Sequence, residues 1–490
     1  MIQLNQPGAM LATSSSISPK PALCVDLDGT LIKSDSFFDA VFTLFRRRPV
    51  TALLSSRIIL QGKAAFKAEI ARHVTLDPKT LPYNQPLLQH LRLEHAAGRD
   101  IYLATGTNEA QAKRVADYLG IFGGVFASQS NLNLHGNEKL HTLERQFPGR
   151  GFDYIGNAAP DIPVLARARK SMLANPSPGL AGRLRRRQVT IDRVFEDRSP
   201  WLIALLQAFR LRQWPKNLLV FAPLLLAHLL FDRQRLFSSF IAFISFSLAA
   251  SAVYILNDLV DVEADRSHPR KRNRPFAAGD LSPQTGTTAM FVLVILAGAL
   301  ASRLPLNFSI WLGGYFITTI AYSLLLKKIA LLDVLTLAGL YTVRIIAGGA
   351  ASQVSISPWL GGFSIFFFLS LAMVKRYAEL DGLRRTDQIP ANERGYYIED
   401  IEQLRSFGTS SGYAAVIVFT LYINNPEIGH LYAHAHRLWL LTPVLIFWIS
   451  RIWLLAHRGK LDDDPVVFAL TDYLSPVIVV IALLIVRSAI

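Results

Sequence analysis

The chain has 490 residues, of which 51% are hydrophobic and 18% charged, with a formal net charge of +15 and a single cysteine, Cys24. One cysteine excludes an intramolecular disulfide and a cysteine-based metal cluster. Much of the positive excess lies in short loops beside apolar stretches, so the charge points to anionic lipid and substrate phosphates, not to nucleic acid.

The average hides two unlike halves. Residues 1 to about 200 have an ordinary soluble composition, whereas from 217 onward apolar stretches near the ~20 residues needed to cross a bilayer follow one another closely. The pattern predicts a disordered tail at 1–19, a head at 20–195, an interfacial linker helix at 196–213 and a polytopic membrane region at 214–490. The tail has neither a basic start nor a long apolar run, so no signal peptide is expected. Nine spans are predicted, near 217–231, 236–256, 286–302, 306–326, 329–349, 358–375, 411–423, 437–456 and 474–490. Loops on one side carry Arg266, Arg270, Lys271, Arg272, Arg274, Lys327, Lys328, Lys375, Arg376, Arg384, Arg385, Arg394, Arg405, Arg458 and Lys460, against Arg233, Arg235, Arg303 and Arg437 on the other. The positive-inside rule therefore puts the head and the 257–279 loop on the cytoplasmic face of the inner membrane. Arg183, Arg185, Arg186 and Arg187, ahead of apolar 201–206, are expected on anionic headgroups.

In the head, Leu23-Cys24-Val25 reads as a buried strand that delivers Asp26 and Asp28 to its C-terminal end, where Gly29 and Thr30 let the chain turn. A carboxylate at the first position can attack phosphorus, and one two residues later can protonate the leaving oxygen. A second apolar strand, Ile101 to Ala104, ends in Thr105-Gly106-Thr107-Asn108, which offers a hydroxyl and backbone amides to phosphate oxygens. These motifs resemble the haloacid dehalogenase superfamily of aspartate-nucleophile phosphatases from Pro21 to Phe195. The resemblance implies an α/β Rossmann-like fold with a helical cap at about 35–97. It also implies that Lys139 neutralises a phosphoaspartate and that magnesium is held by Asp26, the Asp28 carbonyl and Asp161. One departure is Asn157, where the family often has aspartate; the lost charge weakens the expected magnesium site.

In the membrane half, Asn257, Asp258, Asp261 and Asp265 are spaced to share one face of a helix, and such a carboxylate patch calls for a cation, taken to be magnesium. Arg266, His268, Arg270, Lys271, Arg272 and Arg274 follow, and Arg266, Lys271 and Arg274 are expected to include ligands of a diphosphate. The acidic spacing, with Arg274-Pro275-Phe276-Ala277-Ala278-Gly279, resembles the UbiA superfamily of intramembrane prenyltransferases from about Arg210 onward. Matching pieces are Lys216 and Asn217 at the first span, Tyr322 with Lys327 after the fourth, and Arg344 in the fifth. The resemblance implies an all-α bundle of about nine transmembrane helices.

Where such enzymes commonly carry a second aspartate motif, this chain reads Met373-Val374-Lys375-Arg376-Tyr377-Ala378-Glu379. Lys375 and Arg376 suit direct contact with phosphate, with Glu379 beside them. Together with Asp265-Arg266-Ser267-His268-Pro269, this run resembles the decaprenyl-phosphate phosphoribosyltransferase branch of the superfamily. That branch implies transfer of phosphoribose from 5-phosphoribosyl diphosphate to polyprenyl phosphate, with one magnesium in each domain and membrane lipids around the bundle. The head is then expected to remove the ribose 5-phosphate. An aromatic prenyltransferase with a non-catalytic head is the alternative. Asp333 and Arg344 in the fifth span either pair or line the cavity, and a homo-oligomer is compatible with the sequence.

Overall fold

The computed structural model describes residues 20–55, 57–58, 63–129, 133–149, 151–385, 394–425, 428–429, 431–461, 468 and 472–490. The expected tail at 1–19 lies outside them. The chain forms two compact units. The first runs to Trp201 and takes in Val262–Pro283; the second holds Leu202–Asp261 and Gln284–Ile490.

The first unit is built on a six-stranded parallel sheet of β1 (Ala22–Val25), β2 (Ile101–Asn108), β3 (Gly124–Ser128), β4 (Phe152–Gly156), β5 (Ser171–Ala174) and β6 (Ile191–Phe195), in the order β3-β2-β1-β4-β5-β6. Alternation along β1 feeds two cores. Leu23 and Val25 pack with Leu87, Leu91 and Leu103, while Cys24 packs with Phe152, Tyr154 and Leu165 on the other face. Burial on both faces explains why β1 is an unbroken apolar run. The chain leaves β1 toward β2 and β3 on one side and returns to β4 on the other, so a crevice opens at the C-terminal end of β1, where a parallel sheet of this kind binds ligands.

Four helices fill the region between β1 and β2: α1 (Ser36–Arg47), α2 (Pro49–Ser55), α3 (Lys63–His73) and α4 (Gln85–Ala96). Asp35 caps α1 by accepting from the N–H groups of Phe37 and Phe38. The expected cap is thus helical, and its Leu44, Ile70 and Leu87 share one continuous core with Leu23. Helices α5 (Glu109–Leu119), α6 (Asn137–Gln146), α7 (Ile162–Arg167) and α8 (Leu180–Arg186) complete the layers.

Helix α9 (Trp201–Ala208) follows, with Trp201, Leu202, Ile203 and Leu206 exposed. The second unit continues through 3-10 turns over Leu211–Phe221, α10 (Ala222–Leu226) and α11 (Arg233–Val260). After α12 (Val262–Ser267), which belongs to the first unit, come α13 (Pro283–Ala301), α14 (Leu306–Leu324), α15 (Leu332–Ser352), α16 (Pro358–Arg385), α17 (Ile401–Ile423), α18 (Leu441–His457) and α19 (Leu474–Ala489). Among the described residues six helices are long and apolar enough to cross a membrane: Arg233–Val260, Pro283–Ala301, Leu332–Ser352, Pro358–Arg385, Ile398–Ile423 and Ala435–His457. The chain is an integral membrane protein.

The expected nine spans are not all of this kind. The stretch 217–231 holds 3-10 turns and the five-residue α10 in place of a spanning helix. Pro215 lacks an N–H, and buried Lys216 and Asn217 draw polar partners into the segment, so a regular ladder does not form. Helix α14 carries Asn307, Tyr315, Thr318, Thr319 and Tyr322 among its apolar residues. At 16 residues, α19 is shorter than the ~20 needed for a full crossing.

Helix α11 presents small residues, Ala242, Ser245, Ala249 and Ala250, to its neighbours, which lets helices approach closely. Gly348 in α15 serves the same end, since a Cβ there would lie 2.1 Å from the Val220 carbonyl oxygen. A second departure concerns the acidic patch. Helix α11 stops at Val260, Asp261 caps it with φ −90 and ψ 9, and α12 begins anew at Val262. Asn257, Asp258, Asp261 and Asp265 therefore do not lie along one continuous helix, because the chain turns between the third and the fourth.

Candidate functional sites

At the C-terminal end of β1 the head gathers a buried polar cluster. Lys139, in the first turn of α6, donates from Nζ to Asp26 Oδ1 at 2.9 Å, to Asp161 Oδ1 at 3.2 Å and to the Tyr154 hydroxyl at 2.9 Å. The Tyr154 hydroxyl donates in turn to Asp161 Oδ1 at 2.8 Å, and the N–H groups of Asn157 and Ala158 donate to Asp161 Oδ2 at 3.1 and 3.2 Å. Asp28 accepts from the Ser36 N–H at 2.8 Å and from the Thr107 hydroxyl.

Two glycines make this packing feasible. Gly29 has φ 74, and a Cβ on it would stand 2.1 Å from the Asn157 amide nitrogen. At Gly156 a Cβ would come within 2.8 Å of the Asp161 carboxylate. Asn157, in the position where the sequence comparison expects aspartate, thus packs its amide against the turn that follows Asp28.

Burial lifts the Asp26 carboxyl to about 7; Lys139 opposes the shift, while Asp161 and Asp28 add to it. Burial, reinforced by Asp35, lifts Asp28 to about 6 against the hydrogen bonds from Thr107 and Ser36. Burial also pushes Asp161 upward, but Lys139, Tyr154 and the two backbone donors outweigh it and hold Asp161 below the usual carboxylate range. One carboxyl of the pair at the strand end can therefore carry a proton near neutral pH, which suits acid-base work.

Of the expected head residues, Asp26, Lys139 and Asp161 meet directly. Thr105 stands one step away: its hydroxyl donates to Thr107 Oγ1 at 3.1 Å, and Thr107 is the group on Asp28. Tyr154, Thr107 and Ser36 were not picked out from the sequence. Thr107 could have been found, since it follows Thr105 by two in a strand and so points the same way. Tyr154 reads as an ordinary apolar strand residue.

In the second unit the expected ligands have partners. Asp258, 2% exposed, holds the Arg210 guanidinium, which also lies 5.1 Å over the Tyr254 ring. Asp261 holds Lys327 at 3.2 Å. Asn257 gives its backbone carbonyl to the Asp261 N–H at 2.8 Å. Buried Lys216 places its ammonium 5.9 Å over the Tyr341 ring. Asn217 bonds Ser247 at 3.0 Å and accepts from Arg344 Nε at 2.9 Å, while Arg344 donates to Leu340 O and the Tyr315 hydroxyl.

Asp333, fully buried, takes Arg376 in a two-pronged pair and the Tyr322 hydroxyl at 2.7 Å. Arg376 also reaches Glu379 at 2.5 Å. Asp333 and Arg344 thus pair with other residues, and Arg376, expected to grip phosphate, is engaged by carboxylates. Lys375 lies half-buried on α16.

In the first unit Arg274 holds Asp265 at 2.7 Å, Arg266 is buried against Asp39 at 2.8 Å, and Lys271 opens a short 3-10 turn. Among the described residues no group of three or more His, Cys, Asp or Glu side chains is gathered as a metal centre. The head's expected donor set needs only two such side chains, Asp26 and Asp161, plus the Asp28 carbonyl, and its hard oxygens suit magnesium. Asp258, Asp261 and Asp265 are instead each paired with a basic side chain, Arg210, Lys327 and Arg274 respectively.

The profile of the UbiA prenyltransferase family matches residues 218–471, more than half of the chain. The protein belongs to the UbiA prenyltransferase family. An uncharacterized protein of Sinorhizobium fredii, y4nM, is 36% identical over 92% of this chain and 87% of its own length. Among UbiA-type relatives, the decaprenyl-phosphate phosphoribosyltransferase of Mycobacterium tuberculosis is 37% identical over 47% of this chain and 77% of its own length. Among solved structures, a haloacid dehalogenase family hydrolase from Salmonella enterica is 15% identical, covers 36% of this chain and 67% of its own, and gives a TM-score of 0.27.

Proposed function

We propose that the membrane half transfers 5-phosphoribose from 5-phosphoribosyl diphosphate to a polyprenyl phosphate, and that the head hydrolyses the 5-phosphate from the product on the cytoplasmic face. The observation that carries the first step is the 37% identity to a protein named for that transfer. It is supported by Lys375 where prenyltransferases commonly place aspartate. The lipid phosphate is already an anion, so attack on the anomeric carbon needs alignment and charge neutralisation more than a base. Lys216, Lys271, Lys327 and Lys375 are assigned to phosphate contacts. Arg344, Arg376, Tyr322, Glu379 and Asn217 are assigned to holding the bundle that shapes the cavity. Magnesium at Asn257, Asp258, Asp261 and Asp265, as the sequence spacing implies, would neutralise the leaving diphosphate; bound there, it competes with Arg210, Lys327 and Arg274 for the carboxylates.

For the head, the support is the buried set Asp26, Asp28, Lys139 and Asp161. Asp26 attacks phosphorus, the ester P–O bond breaks, and the Asp28 proton goes to the leaving alkoxide. Water then attacks the aspartyl phosphate and returns a proton to Asp28, releasing phosphate. Lys139 balances the anionic phosphoaspartate. Magnesium at Asp26, Asp161 and the Asp28 carbonyl would supply further positive charge to the phosphoryl oxygens.

Mass spectrometry of lipids formed from 5-phosphoribosyl diphosphate and a polyprenyl phosphate tests both steps. The wild type is expected to yield polyprenyl-phosphoryl ribose, and Asp26→Asn the same lipid heavier by one phosphate. A wild type that makes no pentosyl lipid overturns the transfer; identical masses from both overturn the head's role.

A further inference from the structure

The segment Val262–Pro283 is part of the first unit, and it fastens on the loop and helix that follow the Asp26 motif. Arg266 Nη1 donates to Asp39 Oδ2 at 2.8 Å, with side-chain exposures of 4% and 1%. Arg266 Nε is held by the Ala277 carbonyl at 3.2 Å, so the guanidinium is fixed from its own segment. Arg47 Nη2 donates to both carboxylate oxygens of Glu263, Lys33 lies 3.6 Å from Asp280, and Gly279, with φ 77, leaves no room for a Cβ beside Lys33.

Asp39 lies in the first turn of α1, three residues after Ser36 and therefore on the same face. That turn is where a helix has spare N–H groups, and the one on Ser36 is spent on Asp28 at 2.8 Å. The Ser36 hydroxyl also touches Thr107, the second donor to Asp28. Asp39 itself has the Ser34 hydroxyl at 2.8 Å and Arg266 on one oxygen, and among the described residues no hydrogen-bond partner on the other. Without Arg266 a buried carboxylate stands uncompensated, a condition a helix turn relieves by moving toward water. Such a move takes the Ser36 N–H off Asp28.

We propose that Arg266 is a positioning residue of the head's phosphatase site: by neutralising Asp39 it fixes the first turn of α1 and so aims Asp28 at the leaving-group oxygen. The inference rests on the phosphatase reading of the head. It also assigns Arg266 a task other than binding diphosphate.

Leaving-group dependence tests it. Nitrophenolate departs readily without a proton, whereas a ribose 5-alkoxide needs one, so a misplaced acid slows an alkyl phosphate far more than an aryl phosphate. The purified full chain is assayed with magnesium on p-nitrophenyl phosphate and on ribose 5-phosphate. Arg266→Met is expected to lower kcat/KM for ribose 5-phosphate by about tenfold more than for p-nitrophenyl phosphate, a part of the ~100-fold or more that general acid catalysis supplies. Arg266→Lys keeps the charge and retains the ratio, and Asp39→Asn with Arg266→Met removes both charges and restores it. An equal loss on both esters, or no loss, overturns the proposal while leaving the phosphatase reading in place. A double variant that stays impaired overturns it too, because Arg266 then acts on substrate directly. A wild type that hydrolyses neither ester removes the phosphatase reading and this proposal with it.

Discussion

Replacing Arg376 separates a structural lock from a phosphate grip. In the bundle Arg376 is 2% exposed and Asp333 fully buried; Nε and Nη2 both reach the Asp333 carboxylate, the latter at 3.1 Å. Tyr322 adds a donor at 2.7 Å, so Arg376→Met strips Asp333 of two of its three donors and of its only countercharge in that network. Breaking one side of a buried ion pair costs on the order of 3–5 kcal/mol, because the remaining charge has no water to turn to. Removing both charges as Asp333→Asn with Arg376→Met leaves no stranded ion, and the cost should fall to about 1 kcal/mol or less. Thermal unfolding of detergent-solubilised protein, followed by tryptophan fluorescence, measures the series. Arg376→Met is expected to melt well below wild type and the double variant close to it. If Arg376→Met melts with wild type while donor KM rises sharply, the lock is wrong and Arg376 binds phosphate.

Three further outcomes follow from the two sites. Tyr154→Phe removes a hydroxyl that bridges Lys139 and Asp161, a charged hydrogen bond worth roughly 1.5–3 kcal/mol of stability; the head should melt lower, and phosphate-ester turnover should fall about tenfold or more at temperatures where it stays folded, while unchanged turnover refutes the bridge. Head hydrolysis needs Asp26 ionised and Asp28 protonated; with Asp26 lifted to about 7 and Asp28 to about 6, kcat/KM should rise up to the lower value, stay nearly level between the two and fall above the higher. A rate that still climbs above the higher value would contradict it, and added magnesium, which favours ionised Asp26, should raise the maximum and move the alkaline limb to lower pH. Asp258→Ala and Asp261→Ala are each expected to lower pentosyl-lipid synthesis at least ~100-fold, as is EDTA; synthesis that survives either treatment rules out a cation at the α11 end.

Asp26, Asp28 and Thr105 were readable because each sits at the end of an apolar strand, where a period of two settles which side chains point together. Tyr154 was not, since a tyrosine inside an apolar strand has the pattern of core. In the membrane half helical spacing indicated Asn257, Asp258, Asp261 and Asp265 as one face, but spacing does not report where a helix stops, and the turn at Asp261 divides the set. Pairing was one of two readings of Asp333 and Arg344, because both are charges in one span. Eleven residues of helix separate them by about 16 Å, so each had to find its partner on another element, which only the tertiary fold reveals. The first span failed for a related reason: hydropathy counts apolar residues, whereas Pro215, Lys216 and Asn217 determine which backbone bonds can form.

The discontinuity of the first unit bears on how the protein is made. When the ribosome has finished Trp201, Asp39 has been translated but Arg266 has not, and Leu202–Asp261 must be synthesised first. At 5–20 residues per second Arg266 follows about 3–13 s after Trp201, and until then Asp39 has no counterion. Attainment of the head's final fold is therefore timed by insertion of the first membrane segments, and a messenger truncated between the two codons yields a domain that chaperones should recognise as unfinished.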